Sequence, residues 1–186
     1  LLFFPGILLH EISHYVAARL LFVRTGSISL FPQTLTGGKL RLGYVETEQV
    51  DWLRDALIGI APLAAGCLAV GYIGLYQLGL NEYWGMVQSQ GLTSALGAFG
   101  AFITRADFWL WLYLAFTISS TMFPSASDRR AWLPIGITIL VLIGLGLLLG
   151  AGSWMVENIS YPFTQALLAV DVVLGITLFI HLVIFF

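Results

Sequence analysis

Long apolar stretches separated by short polar connections dominate this chain. A helix needs roughly 20 apolar residues to cross the ~30 Å hydrocarbon core of a bilayer. Five segments reach or approach that length: Leu1–Val23, Ala56–Leu80, Ala106–Phe123, Trp132–Gly150 and Phe163–Phe186. A sixth apolar stretch, Leu92–Ile103, is too short to span and is rich in glycine, which predicts a re-entrant or interfacial helix.

The connection between the first and second predicted spans has a period of two residues in its polar and apolar positions. Polar and apolar residues alternate in Gly26–Phe31 and again in Lys39–Val45, and Pro32 and the pair Gly37-Gly38 lie between these segments. Alternation with turn residues in the middle predicts a β-hairpin, here at the cytoplasmic edge of the helices. The alternative is a solvated loop in which the alternation is accidental.

Composition narrows the class of protein. The chain has 186 residues, of which 59% are hydrophobic and 10% charged, and its mean hydropathy is +0.92. A soluble domain carries about a quarter charged residues, so a soluble globular enzyme is excluded. The net charge of −2 provides no basic surface, and we therefore expect no nucleic acid partner. The prediction is an all-α polytopic membrane protein in a lipid bilayer, a single transmembrane domain over residues 1–186 with about five transmembrane helices.

The positive residues predict how the spans are oriented. Four lie between the first and second spans and two between the third and fourth: Arg24, Lys39, Arg41, Arg54, Arg129 and Arg130. With five spans both connections lie on one face, and the excess of Lys and Arg predicts that this face is cytoplasmic. We therefore expect an integral, multi-pass protein of the cell membrane with its N-terminus outside and its C-terminus inside.

The residues His10-Glu11-Ile12-Ser13-His14 form an H-E-x-x-H motif within the first predicted span. At about 100° per residue, His10 and His14 lie on one side of a helix, about 6 Å apart along its axis. They can therefore hold one zinc ion, and Glu11 can take a proton from the water that attacks a carbonyl. Glu11 then returns this proton to the leaving amine.

A hydrolytic zinc site normally has three protein ligands, so two histidines leave the ion short of one. Asp128 follows the third span, where Pro124 is expected to break the helix and allow extended chain to turn inward. Alternatively, Ser127 or Asp128 is the N-cap of the next helix. Asp171, in the fifth span, is a second candidate: a ligand, an acceptor for a histidine N–H or a partner of Arg19.

The histidines also allow two interpretations that involve no zinc site. Buried histidines can bond to neighbouring helices while Glu11 pairs with an arginine, although ionisable groups in a membrane helix are costly and usually functional. Haem binding would need His181 opposite one histidine of the motif, because His10 and His14 point the same way. His181 itself lies near the cytoplasmic end of its span and reads as an interface residue.

The chain resembles the site-2 protease family, the M50-type intramembrane zinc metalloproteases. The resemblance rests on the H-E-x-x-H motif, on the small-residue segment Gly59–Gly66, and on Thr121–Asp128, which is similar to an Asn-x-x-Pro segment followed by Asp-Gly. It covers about residues 1–133 as a protease-like core, with additional helices over about 132–186. It implies Asp128 as the third zinc ligand, above Asp171, and an edge strand within Gly26–Val45 that holds an unwound substrate.

The chain also departs from the family pattern. Thr121 replaces the asparagine, Arg129 replaces the glycine, the interval from Pro124 to Asp128 is shorter by one, and no PDZ-like insertion is present. The resemblance implies a zinc metalloendopeptidase that cleaves membrane-embedded substrates, with catalytic Glu11 and the ligands His10, His14 and Asp128. The departures motivate the alternative of a catalytically silent, protease-like scaffold subunit in a larger membrane complex.

Overall fold

The computed structural model describes residues 2–30, 33–34, 40–41, 43–91, 97 and 104–185. Six helices are described within these ranges: α1 Phe4–Leu20, α2 Trp52–Tyr72, α3 Leu80–Gln90, α4 Phe108–Thr121, α5 Trp132–Leu148 and α6 Gly152–Phe185. A π-helical turn, Ile73–Gln77, extends α2. The fold is therefore mostly helical, as the sequence predicts.

Two small antiparallel sheets of two strands each lie between α1 and α2 in the described residues. The strands are β1 Thr25–Ser29, β2 Gln33–Thr34, β3 Leu40–Arg41 and β4 Tyr44–Thr47. Strand β1 pairs with β4, with Ile28 opposite Val45, and β2 pairs with β3 farther out. The predicted hairpin is therefore present, although its returning strand β4 ends at Thr47, two residues beyond the predicted end.

The core lies where α2, α4 and α6 pack together. Val70 of α2, Ala115 of α4 and Ile180 of α6 are fully buried and belong to one apolar cluster. In the π-helical turn that extends α2, a Cβ at Gly74 would lie 2.8 Å from Ile176 of α6, so the missing side chain lets the two elements approach closely. This packing fixes α4, whose C-terminal end carries part of the candidate site.

Two of the described helices are long and apolar enough to cross a membrane. They comprise Trp52–Gln77 and Gly152–Ile184, whereas α1, α4 and α5 have 17, 14 and 17 residues. Five spans were predicted, but only two of the described helices have the full length of a span. The final helix also begins at Gly152 instead of Phe163, and its 34 residues include Pro162.

Helix α5 is apolar but contributes nothing to the core. All 17 of its residues are described and none of them is buried. Leu133, Leu140 and Leu148 are 73%, 70% and 85% exposed. Monomeric soluble proteins rarely expose a contiguous apolar surface of this kind, and such a surface marks a contact with a membrane or with another protein.

The segment after α4 differs from the prediction. The helix ends at Thr121, before Pro124, as expected. The chain then forms consecutive turns instead of an extended strand, because Ser125 and Asp128 bond to each other across a tight loop. The N-cap alternative is wrong, since α5 begins at Trp132 with Ala131 as its N-cap. The predicted re-entrant helix, Leu92–Ile103, lies outside the described residues apart from Gly97.

Candidate metal centre

The two histidines of the motif lie one turn apart on α1, as their spacing predicts. Each ring places Nδ1 against a backbone carbonyl oxygen of another helix. His10 Nδ1 lies 2.8 Å from the Thr121 oxygen at the end of α4. His14 Nδ1 lies 2.9 Å from the Ile58 oxygen in α2. Thus two helices distant in sequence orient the rings of α1.

These carbonyl contacts determine which ring nitrogen carries the proton. A carbonyl oxygen only accepts hydrogen bonds, so each Nδ1 must be the N–H donor. In a neutral imidazole the other nitrogen, Nε2, then has a free lone pair. The two Nε2 atoms are 3.2 Å apart. Both histidines therefore present electron pairs to the same small volume.

Asp128 reaches this volume from the turn after α4. One carboxylate oxygen accepts the Ser125 backbone N–H at 2.7 Å, which holds the side chain in place. Burial alone would raise the pKa of Asp128, but interactions with His10 and with the Ser125 hydroxyl and N–H outweigh it and lower the pKa to about 2. The group is therefore a carboxylate at neutral pH.

The three side chains converge with separations suited to one small cation. Asp128 oxygens lie 3.4 Å from His14 Nε2 and 3.7 Å from His10 Nε2. Zinc bonds to nitrogen and oxygen of about 2.0–2.2 Å imply tetrahedral ligand separations of about 3.3 Å. Two lone pairs and a carboxylate this close repel one another unless a positive charge lies among them, either a proton that His10 donates to Asp128 or a metal ion. The donor set and its dimensions therefore fit a zinc ion, which His10, His14 and Asp128 would hold.

Glu11 lies in the same cleft beside this cluster. The residue is buried, at 8% exposure, in a helix otherwise rich in apolar residues. A Cβ on Gly43 would lie 2.8 Å from the Glu11 Cγ and Oε1 atoms, so the backbone just before β4 passes directly over the carboxylate. The cleft, about 570 Å³, is also lined by Tyr44, Val45 and Thr47 of β4.

Two glycines allow the backbones around the cluster to approach. A Cβ at Gly59 would lie 3.0 Å from the carbonyl carbon of Asp128 and closer still to its oxygen, so α2 supports the turn directly. A Cβ on Gly6 would collide with Thr117 and Thr121, so α1 meets the end of α4 with no side chain between them. The small-residue segment Gly59–Gly66 thus begins with a packing contact to Asp128.

The structure brings some of the predicted site residues together and places others elsewhere. His10, His14 and Asp128 come together, and Glu11 adjoins them. Asp171 occupies an exposed position on α6 and does not line this cleft. His181 lies instead beside a second, shallower cleft, where its Nε2 is 3.2 Å from the Ser120 hydroxyl.

Several groups that build this site were not predicted from the sequence. The carbonyls of Thr121 and Ile58 orient the histidines, but a backbone acceptor has no residue signature. Asp55 and Arg130 line the cleft as an ion pair whose Oδ1 and Nη2 atoms are 3.1 Å apart. From the sequence, Asp55 was not predicted to belong to the site, and Arg130 contributed only to the predicted orientation of the spans.

Comparison of the chain with protein-family models, with curated proteins and with solved structures yields no match. The chemistry of the site must therefore be inferred from its own atoms. Three groups of the described chain converge on one point, a buried carboxylate adjoins them, and a strand borders the cleft. This combination of groups has the parts that metal-assisted hydrolysis requires.

Proposed function

We propose that the protein is an intramembrane zinc metalloendopeptidase, with His10, His14 and Asp128 as zinc ligands and Glu11 as general base. The convergence of two Nε2 lone pairs and the Asp128 carboxylate carries this proposal. The carbonyl contacts of both Nδ1 atoms add to it, because they hold the rings in the ligating tautomer. This assignment agrees with the resemblance to the site-2 protease family.

The chain's own residues supply the proton transfers. When bound, zinc acts as a Lewis acid that polarises a carbonyl and lowers the pKa of water. Glu11 takes the proton released as water attacks the peptide carbonyl, and then delivers it to the leaving amine nitrogen. Glu11 is 8% exposed and the Gly43 backbone approaches its side chain, which limits the access of bulk water to this carboxylate.

Strand β4 is the element best placed to hold a substrate. A transmembrane helix hides its peptide bonds, so it must unwind before hydrolysis. In the described residues β4 pairs with β1, and Tyr44, Val45 and Thr47 of β4 line the cleft that holds Glu11. An unwound segment adds to this strand by main-chain hydrogen bonds, which places a peptide bond beside Glu11.

The proposal includes a multi-pass arrangement in the membrane. Helices α2 and α6 have sufficient length, and α1, α4 and α5, at about 21–26 Å, cover most of the hydrocarbon core. Local thinning of the bilayer accommodates such helices at modest cost. The exposed apolar surface of α5 supports this arrangement, since lipid can cover it. The basic connections then lie on the cytoplasmic side.

The test is hydrolysis of a membrane peptide by the purified full chain. We expect cleavage of a transmembrane model peptide in detergent or liposomes, loss of cleavage with 1,10-phenanthroline, and recovery when zinc is added. Cleavage that persists in the chelator would contradict the proposal. Isolation in a stoichiometric complex with no bound metal would favour the scaffold alternative.

Substituting Gly43 by alanine tests the approach of β4 to the general base. The new Cβ would lie 2.8 Å from Glu11 Oε1 and 3.0 Å from its Cδ, so the carboxylate or the strand must shift. We expect kcat to fall about 10- to 100-fold, because misplacement by about 1 Å has such an effect, while bound zinc is unchanged. The control is Gly136→Ala in α5, where no atom lies within 4 Å of the new Cβ. Wild-type kcat in Gly43→Ala would disprove the role of this approach.

A further inference from the structure

An ion pair joins the turn that carries Asp128 to the start of α2. Arg130 Nη2 lies 3.1 and 3.2 Å from the two carboxylate oxygens of Asp55, and Arg130 Nε lies 3.4 Å from one of them. The partners are 75 residues apart in sequence. Two guanidinium nitrogens on one carboxylate form a directional contact, which restricts the orientation of both groups.

The same region of α2 makes two further contacts with the site. Asp55, Ile58 and Gly59 are spaced i, i+3 and i+4, so they share one face of the helix. The Ile58 carbonyl accepts the His14 ring N–H, and the missing side chain of Gly59 accommodates the Asp128 backbone. One face of α2 thus orients one ligand and supports the backbone of another.

We propose that the Asp55–Arg130 pair is a clasp that positions Asp128, the third zinc ligand, against α2. This inference rests on the proposed function for the presence of zinc, but the clasp itself is a property of the turn. Arg130 is two residues beyond Asp128, so holding its side chain on α2 restrains the turn from its far end. The Ser125 N–H restrains the near end through the Asp128 carboxylate.

The size of the effect follows from the exposure of the two partners. The Arg130 side chain is 74% exposed, whereas that of Asp55 is 29% exposed. A fully exposed ion pair changes an equilibrium by only a few-fold, and groups that orient metal ligands change metal affinity about 10- to 100-fold. We expect an intermediate effect on zinc affinity, about five- to tenfold. Zinc binding is therefore weakened by loss of the clasp but not abolished.

The experiment compares five variants of the full chain with the wild type, all loaded with zinc in detergent and titrated with a chelator. They are Asp55→Ala, Arg130→Ala, the double alanine variant, the exchanged pair Asp55→Arg/Arg130→Asp, and Arg54→Ala as the matched control. Arg54 belongs to a neighbouring exposed ion pair with Asp51, which is the N-cap residue of α2. The second measurement is hydrogen–deuterium exchange of the amides of residues 123–131.

We expect each single alanine variant to lose zinc affinity five- to tenfold, the double variant to lose no more, and the exchanged pair to regain part of the loss. Arg54→Ala should bind zinc like the wild type. If Asp55 and Arg130 contributed only to packing, the variant with the two charges swapped would not regain zinc affinity. Wild-type zinc affinity in both single variants, or losses that add in the double variant, would overturn the clasp.

The exchange measurement separates this inference from the proposed function. If the wild type holds no zinc, the peptidase assignment fails. Hydrogen–deuterium exchange at residues 123–131 still tests whether the clasp restrains the turn. Faster exchange at residues 123–131 in Arg130→Ala than in Arg54→Ala supports the clasp, because the amides of Arg129 and Arg130 are bonded within that turn. Equal exchange in the two variants overturns it.

Discussion

Replacing Glu11 by glutamine is expected to reduce peptide hydrolysis by roughly two to four orders of magnitude while zinc remains bound. Glutamine has nearly the same size and fits the buried position, which is 8% exposed. However, an amide does not accept a proton at neutral pH, so the attacking water keeps its proton. Zinc binding should persist because the converging ligand atoms come from His10, His14 and Asp128.

The matched control for this variant is Glu48→Gln. Glu48 is an exposed glutamate that follows β4 and does not line the cleft. The same chemical change there should leave both kcat and KM at their wild-type values. Zinc content and cleavage rate should be measured on the same preparations. Cleavage by Glu11→Gln at the wild-type rate would show that Glu11 is not the general base.

Replacing His14 by alanine is expected to weaken zinc binding by about a hundredfold or more and to abolish hydrolysis. Structural zinc sites bind with about 10–16 kcal/mol in total, so losing one ligand removes a substantial share. The substitution also leaves the Ile58 carbonyl without its ring N–H partner, at a cost of about 1–3 kcal/mol in stability. Metal content per chain, measured by elemental analysis after gel filtration, is the readout.

Two further variants keep this result interpretable. His14→Gln retains an N–H donor at the position but replaces the ring, so it should fold like the wild type and still bind zinc poorly. His181→Ala removes a histidine that lies beside the other cleft, and it should retain full zinc content. Equal zinc content in His14→Gln and the wild type would contradict the assignment of His14 as a ligand.

Together Glu11→Gln and His14→Ala distinguish the peptidase from the scaffold. A zinc peptidase predicts bound metal without activity in Glu11→Gln, and neither metal nor activity in His14→Ala. A scaffold that has kept only the fold predicts no cleavage by any form, the wild type included. The contrast depends on metal content and turnover being measured separately, since turnover alone cannot separate loss of the base from loss of the ion.

The helical class, the hairpin and the facing histidines follow from local patterns. His10 and His14 share a side of α1 because a helix turns by about 100° per residue wherever it lies. Likewise, alternation over Gly26–Phe31 and Lys39–Val45 predicts strands because side chains alternate along any extended backbone. The lengths of the spans were less predictable, since the ends of α1, α4 and α5 depend on caps and packing.

The choice of the third carboxylate depended on tertiary structure. By residue type alone both Asp128 and Asp171 were candidates, Asp128 on a segment that turns inward after Pro124 and Asp171 from within the fifth predicted span. The structure places Asp128 in the cluster and Asp171 on the exposed surface of α6. That outcome depends on how the chain turns after Thr121, which short-range bonds between Ser125 and Asp128 decide.

By itself, the sequence determined that a helix rich in apolar residues carries two imidazoles on one side with a carboxylate next to them. Only the tertiary structure decided which imidazole nitrogen is free, which aspartate faces it and which residues hold that aspartate. The physical reason is range: helical periodicity acts over four residues, whereas the His10–Thr121 and Asp55–Arg130 contacts join groups 111 and 75 residues apart. Contacts at such separations exist only once α1, α2 and α4 have packed together.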